Sequence, residues 1–430
     1  MAVTGRAALI AVLATVVAYA AATPLAVLVV DLALLAAIGL DLALAGRVKD
    51  LATTRSGTGT VRLGEPTDVT LTVANRGSRT VRGVLRDAWP PSAGAAVTRH
   101  QISIPPGEIR RVVTRLHPTR RGDRPADRVT VRSVGPLGLA ARQGAHFAPF
   151  VVRVLPPFAS RRHLPSRLDR LRALDGRTAV MVRGQGTEFD SLREYVVGDD
   201  VRSIDWRATA RTSDVTVRTW RPERDRQLLL VLDTGRLSAG RVGDAPRLDA
   251  AMDAALLLAA LASHAGDRID LFAYDRQVRA SVAGVSGSAL LPALVSAMAP
   301  VEPALVETDM RGLASEVLRR GGRGSLVVLL TALDPEPVTA GLLPVLPSLT
   351  ARHRVLLASV ADTRIAELAT GRGDVDAVYA AAAAERMRGQ RARTAALLGR
   401  RGVEVLDAPP EVLPPALADR YLELKAAGKL

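Results

Sequence analysis

Leu228-Leu229-Leu230-Val231-Leu232-Asp233 decides the fold of the larger part of this chain. An unbroken apolar run closed by a carboxylate is what a parallel strand buried on both faces requires. Outward from it, apolar residues recur at helical spacing over 247–265. A strand reads at 268–274, and helices at 290–298 and 310–319. Further strands follow at 325–331, 354–360 and 403–406, with a helix near Ile365 and an alanine-rich one over 379–400. Strands alternating with helices predict the α/β class, a doubly wound sheet over residues 227–430. Ligands of such a sheet sit at the carboxyl ends of its strands.

Upstream the period changes from 3.6 to two. Val69-Thr70-Leu71-Thr72-Val73 alternates apolar and polar, and 81–85, 112–116 and 129–134 repeat the theme. Pro105-Pro106-Gly107 and Arg121-Gly122-Asp123 are turn signals between them. Short alternating strands at this spacing predict an antiparallel β-sandwich over 51–155. The embedded Arg-Gly-Asp reads as a turn, because three residues are a weak adhesion signal.

The first 50 residues form a third part. Residues 7–46 are almost continuously apolar, with Thr23-Pro24 near the middle. Proline ends a helix behind it, so two transmembrane spans are expected, 7–22 and 25–46, joined as a hairpin. Arg6 precedes the hairpin and Arg47, Lys49 and Arg55 follow it, while the turn is uncharged. Positive flanks predict a plasma-membrane protein with both ends and the soluble domains in the cytoplasm. A cleavable leader ending near Ala18-Tyr19-Ala20 is the competing reading. Asp31 is expected near the outer interface, and Asp41 shielded within the hairpin or a helix bundle.

Composition narrows the chemistry. The 430 residues contain no cysteine, which removes disulfides, thiolate metal sites and cysteine nucleophiles. Net charge is +15, carried by the part beyond the hairpin, which suits anionic lipid headgroups. Nucleic acid is not expected as a partner, since aromatics are only 3% and no recognition motif is present.

Residues 156–226 hold the most specific stretch. Gly184-Gln185-Gly186-Thr187-Glu188-Phe189, Leu192-Arg193-Glu194-Tyr195, Gly198-Asp199-Asp200, Arg202, Ile204-Asp205-Trp206 and Ala210-Arg211 interleave opposite charges with aromatics. One reading pairs arginines with carboxylates to hold a loop. The other makes a partner surface of Glu188, Arg193, Tyr195, Asp199, Asp200, Arg202, Asp205, Trp206 and Arg211. Paired-carboxylate catalysis lacks a neighbouring histidine or nucleophile.

This series resembles the signature of the domain of unknown function 58 family, and the upstream Arg120-Arg121-Gly122 and Pro136-Leu137-Gly138-Leu139 fit it. The resemblance implies a von Willebrand factor A-like C-terminal domain and a MoxR-type AAA+ ATPase as partner. Domains of that kind hold Mg²⁺ at the sheet edge with an Asp-x-Ser-x-Ser loop. Here the loop reads Asp233-Thr234-Gly235-Arg236-Leu237-Ser238, with both serine positions lost. Asp233, Thr308 and Asp334 are what remains of a metal set, so no cofactor is expected beyond Mg²⁺ at this degenerate edge. The six histidines show no ligand spacing, and Ser286-Gly287-Ser288 has no triad context. The expectation is a non-enzymatic, membrane-anchored scaffold or adaptor that binds a protein partner. The alternative is a metal-ion-dependent binding domain.

Overall fold

The computed structural model describes residues 2–20, 23–181, 188–197, 199–212, 214–221 and 226–429. The chain forms two compact units, Met1–Leu155 and Pro156–Leu430.

The first unit opens with helices α1, Gly5–Ala20, and α2, Pro24–Leu44. Pro24 takes the first helical position, where its missing N–H costs nothing. The segment Pro24–Asp50 has mean hydropathy 2.4 and is long and apolar enough to cross a membrane. Only 6% of its apolar window is buried, unlike the core helix of a soluble protein, although a leader sequence passes the same test. Of the two expected spans, only the second has the length. The 16 residues of α1 reach about 24 Å against a hydrocarbon core of about 30 Å. Asp31 is exposed along α2, whereas Asp41 is buried.

The strands of this unit form sheets whose inner residues alternate along the chain. Thr67–Asn75 buries every second residue, as a strand with one wet face must. It lies between Leu51–Gly57 and Ile109–Leu116 in an antiparallel three-stranded sheet. A second sheet runs in the order Ala140–His146, Val129–Val134, Val81–Asp87, Arg99–Ile104. Val48, Leu71, Val73, Leu85, Ile104 and Val131 pack together in the core of this unit. The strand Leu51–Gly57 precedes the alternating pattern, because Leu-Ala-Thr-Thr-Arg-Ser-Gly is largely polar. Its Arg55 is not a membrane-flanking cation. The side chain is fully buried and paired with Asp87 at 2.7 Å. Arg47 and Lys49 are exposed.

The Arg-Gly-Asp stretch is also spent internally. Asp123 takes a bidentate pair from Arg153, at 2.7 and 2.9 Å, and Arg121 is buried. The hydrogen bonds from Arg153 hold the Asp123 carboxyl below the usual carboxylate range.

The second unit is built on a six-stranded sheet. Its strands are β1 Gln227–Asp233, β2 Arg268–Tyr274, β3 Val278–Val282, β4 Leu326–Leu330, β5 Arg354–Val360 and β6 Val403–Ala408. The order is β3-β2-β1-β4-β5-β6, all parallel except the edge strand β3. The central β1 buries Leu228 through Asp233, which explains its lack of alternation. Helices Arg247–His264, Leu290–Met298, Met310–Arg320, Val375–Arg400 and Leu413–Ala426 lie between and after the strands. Two of these elements escaped the sequence reading. The strand β3 is short and half-exposed, and Leu413–Ala426 opens on two prolines that read as a break. His353 is buried with neither ring nitrogen hydrogen-bonded, and burial lowers its pKa.

Candidate functional site

Two places on the second unit carry the residues singled out above. The first is the carboxyl edge of the sheet. Asp233 ends β1 and is almost fully buried. Its Oδ1 accepts the Gly235 amide at 2.8 Å and the Thr308 hydroxyl at 2.5 Å. Its Oδ2 accepts the Thr331 hydroxyl at 2.5 Å. Burial pushes the Asp233 carboxyl up in pKa, and the three donors oppose that shift.

The edge therefore brings Asp233, Thr308 and Thr331 together. Thr331 was legible only with the register. β1 pairs Leu232 with Leu330 of β4, so Asp233 and Thr331 leave the sheet side by side. Asp334 is not joined to this group. Its carboxylate lies 3.7 Å from Arg247 instead, so it is withdrawn from the metal set.

Gly235, at a lost serine position, has a physical reason. A Cβ built there would collide with the Thr308 hydroxyl and crowd the Val306 carbonyl at 3.0 Å. The loop closes on Thr308 where a serine would stand. Gly235→Ser is expected to push Thr308 off Asp233 and destabilise the unit by about 1–3 kcal/mol, read by urea denaturation. An unchanged midpoint would show that the loop is not closed in this way.

One carboxylate and two hydroxyls that already satisfy one another fall short of the near-octahedral oxygen shell Mg²⁺ demands. Among the described residues, no three or more of His, Asp and Glu gather as a metal site. The space beneath Asp233, lined by Val231, Met310, Leu329 and Thr331, has room for about one water.

The second place is the charged signature. Its segment Gly184-Gln185-Gly186-Thr187 lies outside the described residues, as does Gly198. The remainder forms a hairpin, Glu188–Glu194 against Thr216–Arg221, with Glu188 opposite Arg221 and Arg193 opposite Val217. The intervening residues make an insert. Tyr195, half-buried, donates its amide to Val215, and the Asp205 amide donates to Thr216, which closes the insert on the hairpin.

The carboxylates hold this insert together. Asp199 pairs with Arg193 at 2.5 Å and accepts the Val196 amide. Asp200 accepts the Arg202 amide at 2.9 Å. Asp205 caps the helix Trp206–Thr212 through the amides of Arg207 and Ala208. It also takes Arg218 Nε at 2.7 Å, and that bond holds its carboxyl below the ordinary range. Asp199, Asp200, Asp205 and Arg193 build the loop, while Arg202, Trp206 and Arg211 lie on its surface.

Sequence reasoning missed the apolar part of that surface. Trp206 is 68% exposed and Val197 94% exposed, with Val196 and Val201 beside them in sequence and also exposed. Valines in a charged stretch read as filler, so only burial reveals them.

Comparison with known proteins places these residues. The family described as protein of unknown function DUF58 matches residues 191–395. Uncharacterized proteins of Mycobacterium bovis and Mycobacterium tuberculosis are 30% identical over 199 residues, 45% of this chain and 61% of theirs. The match thus spans about three fifths of the length of those relatives. Among solved structures, the CARDB domain of a Pyrococcus furiosus protein, in complex with di-metal ions, is 20% identical. It covers 24% of this chain and 92% of that one, at a TM-score of 0.19. A β-glucosidase from Listeria innocua is 14% identical over 23% of this chain and 16% of that one, at a TM-score of 0.15. At such scores neither bears on the fold. The signature's resemblance holds over the matched stretch: residues 191–395 of this chain match the model of the DUF58 family.

Proposed function

We propose that this chain is a membrane-anchored scaffold, without catalytic activity of its own, that docks a protein partner on the exposed face of its signature insert. The observation that carries this reading is the exposure of Trp206, Val197, Val201, Arg202 and Arg211 on one short segment in which Asp199 and Asp205 are bonded to backbone amides. Tryptophan and arginine are the residues on which interface energy concentrates, and a rigid loop presents them at low entropic cost. The partner's complementary face would carry an apolar pocket rimmed by acids. Its identity as a MoxR-type AAA+ ATPase rests on the family resemblance.

Strand order supports the von Willebrand factor A-like reading of the second unit: a parallel sheet with one antiparallel edge strand, and an Asp-Thr-Thr group at its carboxyl edge. Anchoring is supported by α2, and by Ala2–Val3, which pairs with Ala140–Ala141 of the sandwich. That pairing returns the start of α1 to the end of α2, as a hairpin would. Exposed Arg6, Arg47 and Lys49 at those ends favour the cytoplasmic side.

The test is co-purification of the ATPase with the full chain from solubilised membranes. Trp206→Ala and Arg202→Glu are each expected to weaken recovery at least about tenfold, with the fold intact by circular dichroism. Undiminished recovery by folded variants would reject the surface. Recovery of other proteins but no ATPase from the parent chain would reject the partner.

A further inference from the structure

Asp41 lies three residues before the end of α2 and is fully buried. Its Oδ1 accepts the Leu137 amide, and its Oδ2 accepts the amides of Leu139 and Ala140, each at 2.7 Å. Arg142 Nε donates to the Leu42 carbonyl at 3.0 Å, satisfying an orphan acceptor of the last helical turn. From the other helix, Thr4 Oγ1 donates to the carbonyls of Gly138 and Leu139, at 2.5 and 3.1 Å. Gly135 comes so close that a Cβ there would collide with the Asp41 carboxylate. The turn over 135–140 is therefore gripped by the start of α1 and the end of α2 together.

These bonds leave the tip of the turn outside. Pro136 is exposed, and Leu137 is 51% exposed although its amide is bonded to Asp41. Arg6 is exposed and passes within 3.2 Å of the space beside Gly138, and Arg47 is exposed just past α2. Depth follows from helix geometry. Asp41 lies 17 residues beyond Pro24, about 26 Å along the axis, against a hydrocarbon thickness of about 30 Å. A helix that crosses a bilayer thus carries Asp41 to its boundary, and the hydrogen bond holds Leu137 at the same level.

We infer that the turn over 135–140 is a membrane-contact element. Pro136 and Leu137 enter the boundary between headgroups and acyl chains, and Arg6 and Arg47 face the lipid phosphates. Exposed apolar residues ringed by cations are what that boundary favours. Asp41 is then explained without a second transmembrane partner, since the protein's own amides replace the water a carboxylate would otherwise require. The inference rests on the anchored reading above and assigns the lipid-facing side of the sandwich.

The absence of native cysteine makes the test direct. Leu137→Cys, in the full chain in nanodiscs, is labelled with an environment-sensitive fluorophore, and lipids bear a nitroxide near the glycerol level. Pro136→Cys serves as a second reporter. Leu32→Cys on α2 reports the span, and Val97→Cys reports the far end of the sandwich. Quenching severalfold stronger at 137 and 136 than at 97 is expected. Equal, weak quenching at 137, 136 and 97 with strong quenching at 32 overturns the contact element and leaves the anchor standing. Weak quenching at 32 as well overturns both.

Discussion

Asp41→Ala should lower the stability of the first unit by about 3–6 kcal/mol, because three amides, two of them in buried bonds, lose a charged acceptor at once. The loss should appear as a fall of several degrees in the melting temperature of the full chain in nanodiscs. Asp41→Asn should fall between the two. Its amide oxygen can still serve one side of the turn, while its NH₂ faces donors on the other. A carboxylate near the end of an apolar helix looks like a liability in sequence, and removing a liability should stabilise. The expected sign is opposite here, and melting of Asp41→Ala within a degree of the parent would show that the clamp contributes nothing.

The second large effect is expected in the sandwich core. Asp87 is fully buried and accepts Arg55 at 3.0 and 2.7 Å, Trp89 Nε1 at 3.0 Å and Thr114 Oγ1 at 2.8 Å. Arg55 in turn donates to the carbonyls of Asp127 and Ala148 and lies over the Trp89 ring at 5.6 Å. Every charge is met, so the network holds only as a whole. Asp87→Ala strands a buried guanidinium and should cost about 3–5 kcal/mol. Arg55→Met with Asp87→Leu removes both charges and should cost less than the single change. Denaturant midpoints of the three proteins decide it. A double variant weaker than Asp87→Ala would mean that the pair does more than neutralise itself.

How much was legible follows from the range over which each feature is encoded. The strands β1, β2, β4 and β5 announce themselves in continuous apolar runs, because burial on both faces leaves no room for polar residues. The sandwich strands with one wet face do so by alternation. Leu51–Gly57 does not, since its inward Arg55 carries its counter-charge 32 residues away. Asp41 finds its donors nearly a hundred residues on, beyond any local pattern. At the sheet edge, Asp233 and Thr308 were legible as residue types, whereas Thr331 needed the strand register and Asp334 was claimed by Arg247. In the signature, the sequence gives charge without direction. The acids turn inward to amides and arginines, and Trp206 with its neighbouring valines turns outward.

The pairing of Ala2–Val3 with Ala140–Ala141 has a consequence for biosynthesis. Residues 2–3 must wait for a strand made nearly 140 residues later, several seconds or more at ordinary elongation rates. Both apolar helices have left the ribosome by then, so the sheet's edge closes only after they are made. A fusion placed directly before Ala2 would extend that waiting edge strand, whereas residues added after the second unit would leave it to close unhindered.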